Sequence, residues 1–225
     1  MGNIEYVLPE EIEKRSMEMI SEELSQRNIR IPKEEEGIVK RVIHTSADFD
    51  YADTLCFSEG AVQVLEKLIG NGADIVTDTN MAFAGINKKA LAEFGGQAHC
   101  FMADEDVAAV AKATNMTRAA VSMEKASRIE KPVIFAIGNA PTALIKLYEM
   151  SMEKDWKPAF VIGVPVGFVN VEAAKELILE TRIPYIINRG RKGGSSIAAA
   201  ICNAVLYQVR DAKAGDLAAP SELSK

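Results

Sequence analysis

Cysteine, histidine and long apolar runs are all scarce in this chain of 225 residues, and each shortage excludes something. The three cysteines, Cys56, Cys100 and Cys202, are odd in number and far apart, which fits neither a disulfide framework nor the C-x-x-C spacing of zinc and redox sites. All three are expected to be buried thiols. The most apolar stretch, Phe160 to Val169, is about half the ~20 residues of a membrane span, and Pro165 interrupts it. The first twenty residues carry seven charged side chains and no continuous apolar core, unlike a secretory signal. These features predict a cytoplasmic protein with no membrane partner. Lysine and arginine total 26 against 32 aspartates and glutamates, a formal net charge of −6, so nucleic acid is a poor partner.

The catalytic signatures that are missing narrow the field further. No G-x-G-x-x-G follows a candidate strand and no G-x-x-x-x-G-K-[ST] occurs, which removes the usual dinucleotide and ATP sites. H-E-x-x-H and G-x-S-x-G are also missing, so zinc peptidases and α/β-hydrolases lack their defining residues.

What is present reads as an ordinary globular protein, 48 % hydrophobic and 26 % charged. At a nominal ~150 residues per domain the length favours one large α/β domain, which buries roughly 70–75 % of its unfolded surface without a staple. Five short β-branched or apolar runs are candidate strands: 73–77, 98–102, 133–137, 159–163 and 185–188. Helix-length segments separate them at 58–70, 88–95, 104–130, 141–154 and 171–181, with another at 195–210 after the last strand. The segment 104–130 is too long for one average helix, and Asn115 with Thr117 offers a break and a new N-cap. The alternation predicts a single three-layer α/β/α domain over residues 1–210, with a mostly parallel five-stranded sheet. Residues 1–40 hold no strand candidate. Ile12, Arg15, Ser16, Met19, Ile20 and Glu23 fall at helical spacing there, so a helical arm is expected. Residues 211–225 are small, polar and aperiodic, as in a frayed tail.

In parallel α/β sheets ligands bind beyond the carboxyl ends of the strands. The turns leaving them read Asp78-Thr79-Asn80, Gly138-Asn139-Ala140-Pro141, Gly163 to Phe168, and Arg189-Gly190-Arg191-Lys192-Gly193-Gly194-Ser195. Each opens a helix whose first N–H groups lack intrahelical partners, so a row of anion sites is expected. The last turn interleaves three cations with three glycines, which suits a carboxylate or phosphate clamp or, equally, a solvated basic loop. His99, inside a strand candidate, is expected to be a buried structural histidine. His44 sits where Val42 and Ile43 give way to Thr45, Ser46, Asp48, Asp50 and Asp53. Three readings stay open for it: a metal site with Asp48 and Asp50, a general acid oriented by a neighbour, or a histidine at a helix end.

Eight segments in order make the chain resemble the precorrin-8X methylmutases, most of all the cobalt-precorrin-8 methylmutases of cobalamin biosynthesis. They are Arg15-Ser16, Arg41 to Asp50, Thr77 to Met81, Gly85-Ile86-Asn87, Thr117-Arg118, Gly138 to Leu144, Gly163 to Val169 and Gly190 to Ser195. The resemblance covers Ile12 to Arg210. It implies migration of a methyl group from C-11 to C-12 of a corrin ring, in a homodimer without a bound cofactor, any cobalt belonging to the substrate. It also implies that His44 protonates or hydrogen-bonds a ring nitrogen, with Ser16 and Arg118 at the substrate site. The substrate's peripheral carboxylates would then meet Asn139, Arg189, Arg191, Lys192, Gly193 and Ser195. A corrinoid-binding protein without turnover is the competing class, and a phosphate-ester enzyme using the basic loop a second.

Overall fold

The computed structural model describes residues 6–153 and 156–218. Among these residues one sheet is built from β1 (Leu55–Phe57), β2 (Asp74–Thr77), β3 (Ala98–His99), β4 (Val133–Ile137), β5 (Phe160–Gly163) and β6 (Tyr185–Asn188). Their spatial order is β1-β6-β5-β4-β2-β3. All pairings from β3 across to β6 are parallel, while β1 runs antiparallel on the edge, Leu55 opposite Asn188 and Phe57 opposite Ile186. The sheet therefore has six strands, not the five expected. Leu-Cys-Phe is too short to show a period of two, and its strand character comes from pairing with β6.

Helices cover both faces, as the alternation predicted. On one face lie α1 (Ile12–Gln26), α2 (Glu36–Ser46), α4 (Ala61–Gly70) and α11 (Ser195–Ala218), whose Ile38, Val42, Leu65, Ile201 and Val205 pack with Ile75, Ile134, Ile162 and Ile186. On the other lie α8 (Arg118–Ala126), α9 (Pro141–Glu153) and α10 (Val171–Leu179), whose Met123, Leu144, Leu147 and Ile178 meet Val76, Phe135, Ile137, Val161 and Ile187. Successive strand residues thus feed opposite cores, which is why the strands read as continuous apolar runs. Short helices α3 (Tyr51–Thr54), α5 (Asn80–Gly85) and α6 (Lys88–Glu93) fill the connections. The long segment splits as expected: α7 (Glu105–Thr114) ends at Asn115 with φ 56°, and the Thr117 hydroxyl accepts from the Ala120 amide to cap α8.

Four details differ from expectation. Only α1 resembles an arm, with Ile20 and Leu24 as its buried residues, whereas α2 buries Ile38, Val39, Val42 and Ile43 in the core. The C-terminal helix does not fray at Asp211 but continues to Ala218, since alanine, leucine and lysine in that stretch are good helix formers. The remainder of the expected tail, 219–225, lies outside the described residues. Cys202 is buried, but Cys56 and Cys100 are half-buried. His99 is half-buried rather than enclosed, because β3 is an edge strand; its Nε2 lies 3.0 Å from Asp74 Oδ2 and its ring stacks on Phe101. Among the described residues no helix is long and apolar enough to cross a membrane.

Candidate active site at the strand ends

Because β2, β4, β5 and β6 are parallel, the turns leaving them gather along one edge of the sheet. The antiparallel β1 brings its own approach, Asp48 to Thr54, to the same edge beside β6. Close contacts lock these turns together. The hydroxyls of Thr79 and Ser195 are 2.7 Å apart, and the Gly194 amide donates to the Val164 carbonyl at 2.8 Å. A Cβ on Gly138 would come within 2.7 Å of the Ser195 Cα, so only glycine lets the β4 and β6 turns meet.

Asp78 was expected to line a row of anion sites, but it fills one. Its side chain is fully buried; Oδ1 accepts from the Gly138 amide at 2.8 Å, and Oδ2 accepts from Asn139 at 2.8 Å and Ala140 at 2.6 Å. Burial pushes the carboxyl above its ordinary range, and the three amides pull the other way. The amides of the β4 turn are thus taken by a carboxylate of the chain itself, which fixes the turn and leaves the Asn139 side chain exposed.

The basic turn is also partnered. Arg189 faces Glu176 at 3.5 Å, Arg191 faces Glu172 at 3.2 Å and lies 5.5 Å over the Phe168 ring, and Lys192 holds Asp48 and Asp50, each at 2.6 Å. The Lys192 ammonium holds the Asp48 carboxyl below its ordinary range, so this bridge is complete at neutral pH and is lost on acidification below that range. Three cations therefore meet four carboxylates, and the turn carries no surplus positive charge. Exposed pairs of this kind are worth about 0–1 kcal/mol, so an incoming carboxylate can exchange with Glu172 or Glu176 at small cost. Asp48 and Asp50 hold a lysine, and among the described residues no cluster of three or more potential ligands forms a metal site around His44.

His44 stands exposed in the last turn of α2, so the helix-end reading is correct as geometry. Its ring has a hydroxyl neighbour: Ser16 Oγ lies 2.7 Å from His44 Nδ1. One turn earlier on both helices, Arg41 Nη2 donates to Glu13 Oε1 at 2.5 Å. Both bonds tie α1 to α2, so the arm serves to bring Ser16 onto the imidazole. The Glu13–Arg41 bond holds the Glu13 carboxyl below its usual range, and Arg41 also lies 5.6 Å over the Tyr207 ring of α11.

The sequence-predicted residues thus fall into groups. Ser16 and His44 are joined on the α1–α2 side, and Lys192 is tied to the segment that follows His44. Ser195 and Gly193 sit at the centre, where the β5 and β6 turns touch. Arg118 is exposed at the start of α8 in the opposite helical layer, where the Thr117 hydroxyl donates to Thr142 Oγ1 at 2.9 Å beside the β4 turn. A separate cavity of about 660 Å³ between α1 and α2, walled by Leu24, Ile29, Arg30 and Lys40 among others, contains none of them. Sequence reasoning missed Lys175 and Asn188, both fully buried beneath the basic turn. Lys175 had a visible signal, a lysine in the apolar register of Val171, Ala174 and Ile178.

Fold and site together define a doubly wound α/β protein whose strand-end edge offers a histidine–hydroxyl pair, locked glycine turns and exchangeable cations, with no nucleotide fingerprint. The comparisons with known proteins agree. A model of the precorrin-8X methylmutase family matches residues 11–208. A cobalt-precorrin-8 methylmutase of Priestia megaterium is 43% identical over 199 residues, 88% of either chain, and one of Salmonella typhimurium is 44% identical over 178 residues, 79% of this chain and 83% of that one. The crystal structure of a precorrin-8X methylmutase from Thermus thermophilus superposes with a TM-score of 0.81 at 34% identity, covering 90% of this chain and 98% of that one. The chain belongs to the precorrin-8X methylmutase family, and is an isomerase that moves a methyl group within one molecule.

Proposed function

We propose that the chain acts on precorrin-8 carrying cobalt, within cobalamin biosynthesis, and that His44 is its proton donor. The observation that carries the reading is the Ser16–His44 hydrogen bond. With Ser16 donating to Nδ1, the proton of the neutral imidazole lies on Nε2, the nitrogen left for a substrate. The methyl group leaves C-11 and bonds to C-12 of the same ring, so no atom enters or leaves. Such a step needs the macrocycle held in one orientation and one placed donor, and it needs no nucleophile or redox centre from the protein. Asn139, Arg118, Ser195 and the Arg189–Gly193 turn, spread along the strand ends, suit the several peripheral carboxylates of a corrinoid. No cofactor beyond the substrate's own cobalt is assigned. The chain is assigned to the cytoplasm as a homodimer, for which Phe168 and Val169, 83% and 78% exposed beside the site, offer apolar surface.

Cobalt enters the assignment through the names of the Priestia megaterium and Salmonella typhimurium relatives and through the Thr45-Ser46-Ala47-Asp48-Phe49-Asp50 form of the histidine motif. Purified protein given cobalt-loaded and metal-free precorrin-8 separately should turn over the cobalt form with a kcat/KM at least about tenfold higher, ~1.4 kcal/mol in the transition state. Equal or better use of the metal-free ring would remove cobalt from the assignment and leave the methyl shift standing.

A further inference from the structure

Lys175 lies in α10 with its side chain fully buried, and its ammonium group faces main chain rather than a carboxylate. Nζ donates to the carbonyl of Gly190 at 2.7 Å and to that of Lys192 at 2.9 Å. Burial pushes its pKa down to about 8. A lysine is a costly choice at a position whose helical neighbours Val171, Ala174 and Ile178 are apolar, since leucine or methionine would fill the same space without desolvating a charge. What lysine adds is two directed hydrogen bonds into the basic turn.

The turn has a second anchor from below. Asn188, also fully buried at the end of β6, donates to the carbonyls of Arg189 at 3.1 Å and Lys192 at 2.9 Å, and its own Oδ1 accepts from the Thr54 hydroxyl at 2.7 Å. The Lys192 carbonyl thus receives two buried donors, while its side chain emerges at the surface to reach Asp48 and Asp50. Gly190 and Gly193, which flank residues 191 and 192, both have positive φ, and the Arg191 carbonyl also accepts from the Gly167 amide at 3.2 Å.

We propose that Lys175 is a positioning residue for substrate binding: it holds the Gly190–Lys192 backbone so that Arg191 and Lys192 present their cations to the peripheral carboxylates of the corrinoid. It rests on the reading that the basic turn meets those carboxylates. Lys175 touches no substrate and acts through the turn alone.

The test is a double-mutant cycle read in KM and kcat. Lys175→Met keeps an apolar stem and removes the buried charge. It should raise KM about tenfold while kcat changes less than about twofold, because the His44 pair is untouched. In an Arg191→Ala/Lys192→Ala background the same Lys175→Met change should alter KM less than about twofold, since the groups it positions are gone. A tenfold rise in both backgrounds, or none in the otherwise native protein, overturns the proposal, for the first is a general structural loss and the second no role. If Arg191→Ala/Lys192→Ala alone leaves KM unchanged, the basic-turn reading fails first and the role of Lys175 falls with it. Should Lys175→Met not accumulate folded, Asn188→Ala, which removes the other donor to the Lys192 carbonyl, goes through the same cycle with the same expected pattern.

Discussion

Replacing His44 with alanine is expected to lower kcat by about 10² to 10⁴, roughly 2.7 to 5.4 kcal/mol of barrier, the range of a positioned general acid. The residue is exposed at the end of α2, and its removal leaves the buried Ile38, Val39, Val42 and Ile43 in place, so the protein should fold normally. Product should still bind within about tenfold of wild type, ~1.4 kcal/mol, because carboxylates and the apolar face of the ring carry most of the affinity. Ser16→Ala, which deletes the 2.7 Å partner of Nδ1, should fall between the two, since the imidazole remains but its tautomer is no longer held. Steady-state rates with binding titrations check this. Wild-type kcat in folded His44→Ala would return the residue to a helix-end role.

The second large effect concerns Gly193. A Cβ there would lie 2.0 Å from the Val164 carbonyl oxygen and 2.9 Å from that of Pro165, and its φ is +155°. Neither obstacle is a side chain that can swing away. Gly193→Ala must force the β6 turn off the β5 turn and break the 2.8 Å bond from Gly194 to Val164. Backbone strain of ~1–3 kcal/mol and overpacking of ~1–3 kcal/mol together give a loss of roughly 2–6 kcal/mol. At ~2–4 °C per kcal/mol for a chain of this size, Tm should fall by about 4–24 °C. Gly190→Ala is the comparison. Gly190 also has a positive φ, +74°, but nothing lies within 4 Å of its missing Cβ, so only left-handed strain of ~1–2 kcal/mol applies. Calorimetry of the two variants should show Gly193→Ala clearly the less stable; equal Tm values would mean the two turns do not meet as described.

How much of this was legible in the sequence follows from what local patterns record. Buried parallel strands are continuous apolar runs, so β2, β4, β5 and β6 were found nearly residue for residue, and the Asn115–Thr117 break was visible because caps are local chemistry. β1 was not, since three residues carry no period and an antiparallel partner 130 positions away leaves no local trace. His44, the glycine turns and Arg118 were reached through spacing and family resemblance. The pairing of every cation in the basic turn was invisible, because Glu172, Glu176, Asp48 and Asp50 reach it only through the fold. Asp78 sat in a recognised segment, yet its role as an internal anion for the β4 turn depends on burial, which sequence does not report.

This chain moves a methyl group on a corrinoid rather than merely holding one. Precorrin-8 carrying cobalt and an isotopically labelled methyl at C-11, incubated with purified protein and read by NMR, tests it most directly. The label is expected at C-12 with the wild-type protein and, within the same time, still at C-11 with His44→Ala. A wild-type protein that binds the pigment and shifts its absorbance while the label remains on C-11 would contradict it.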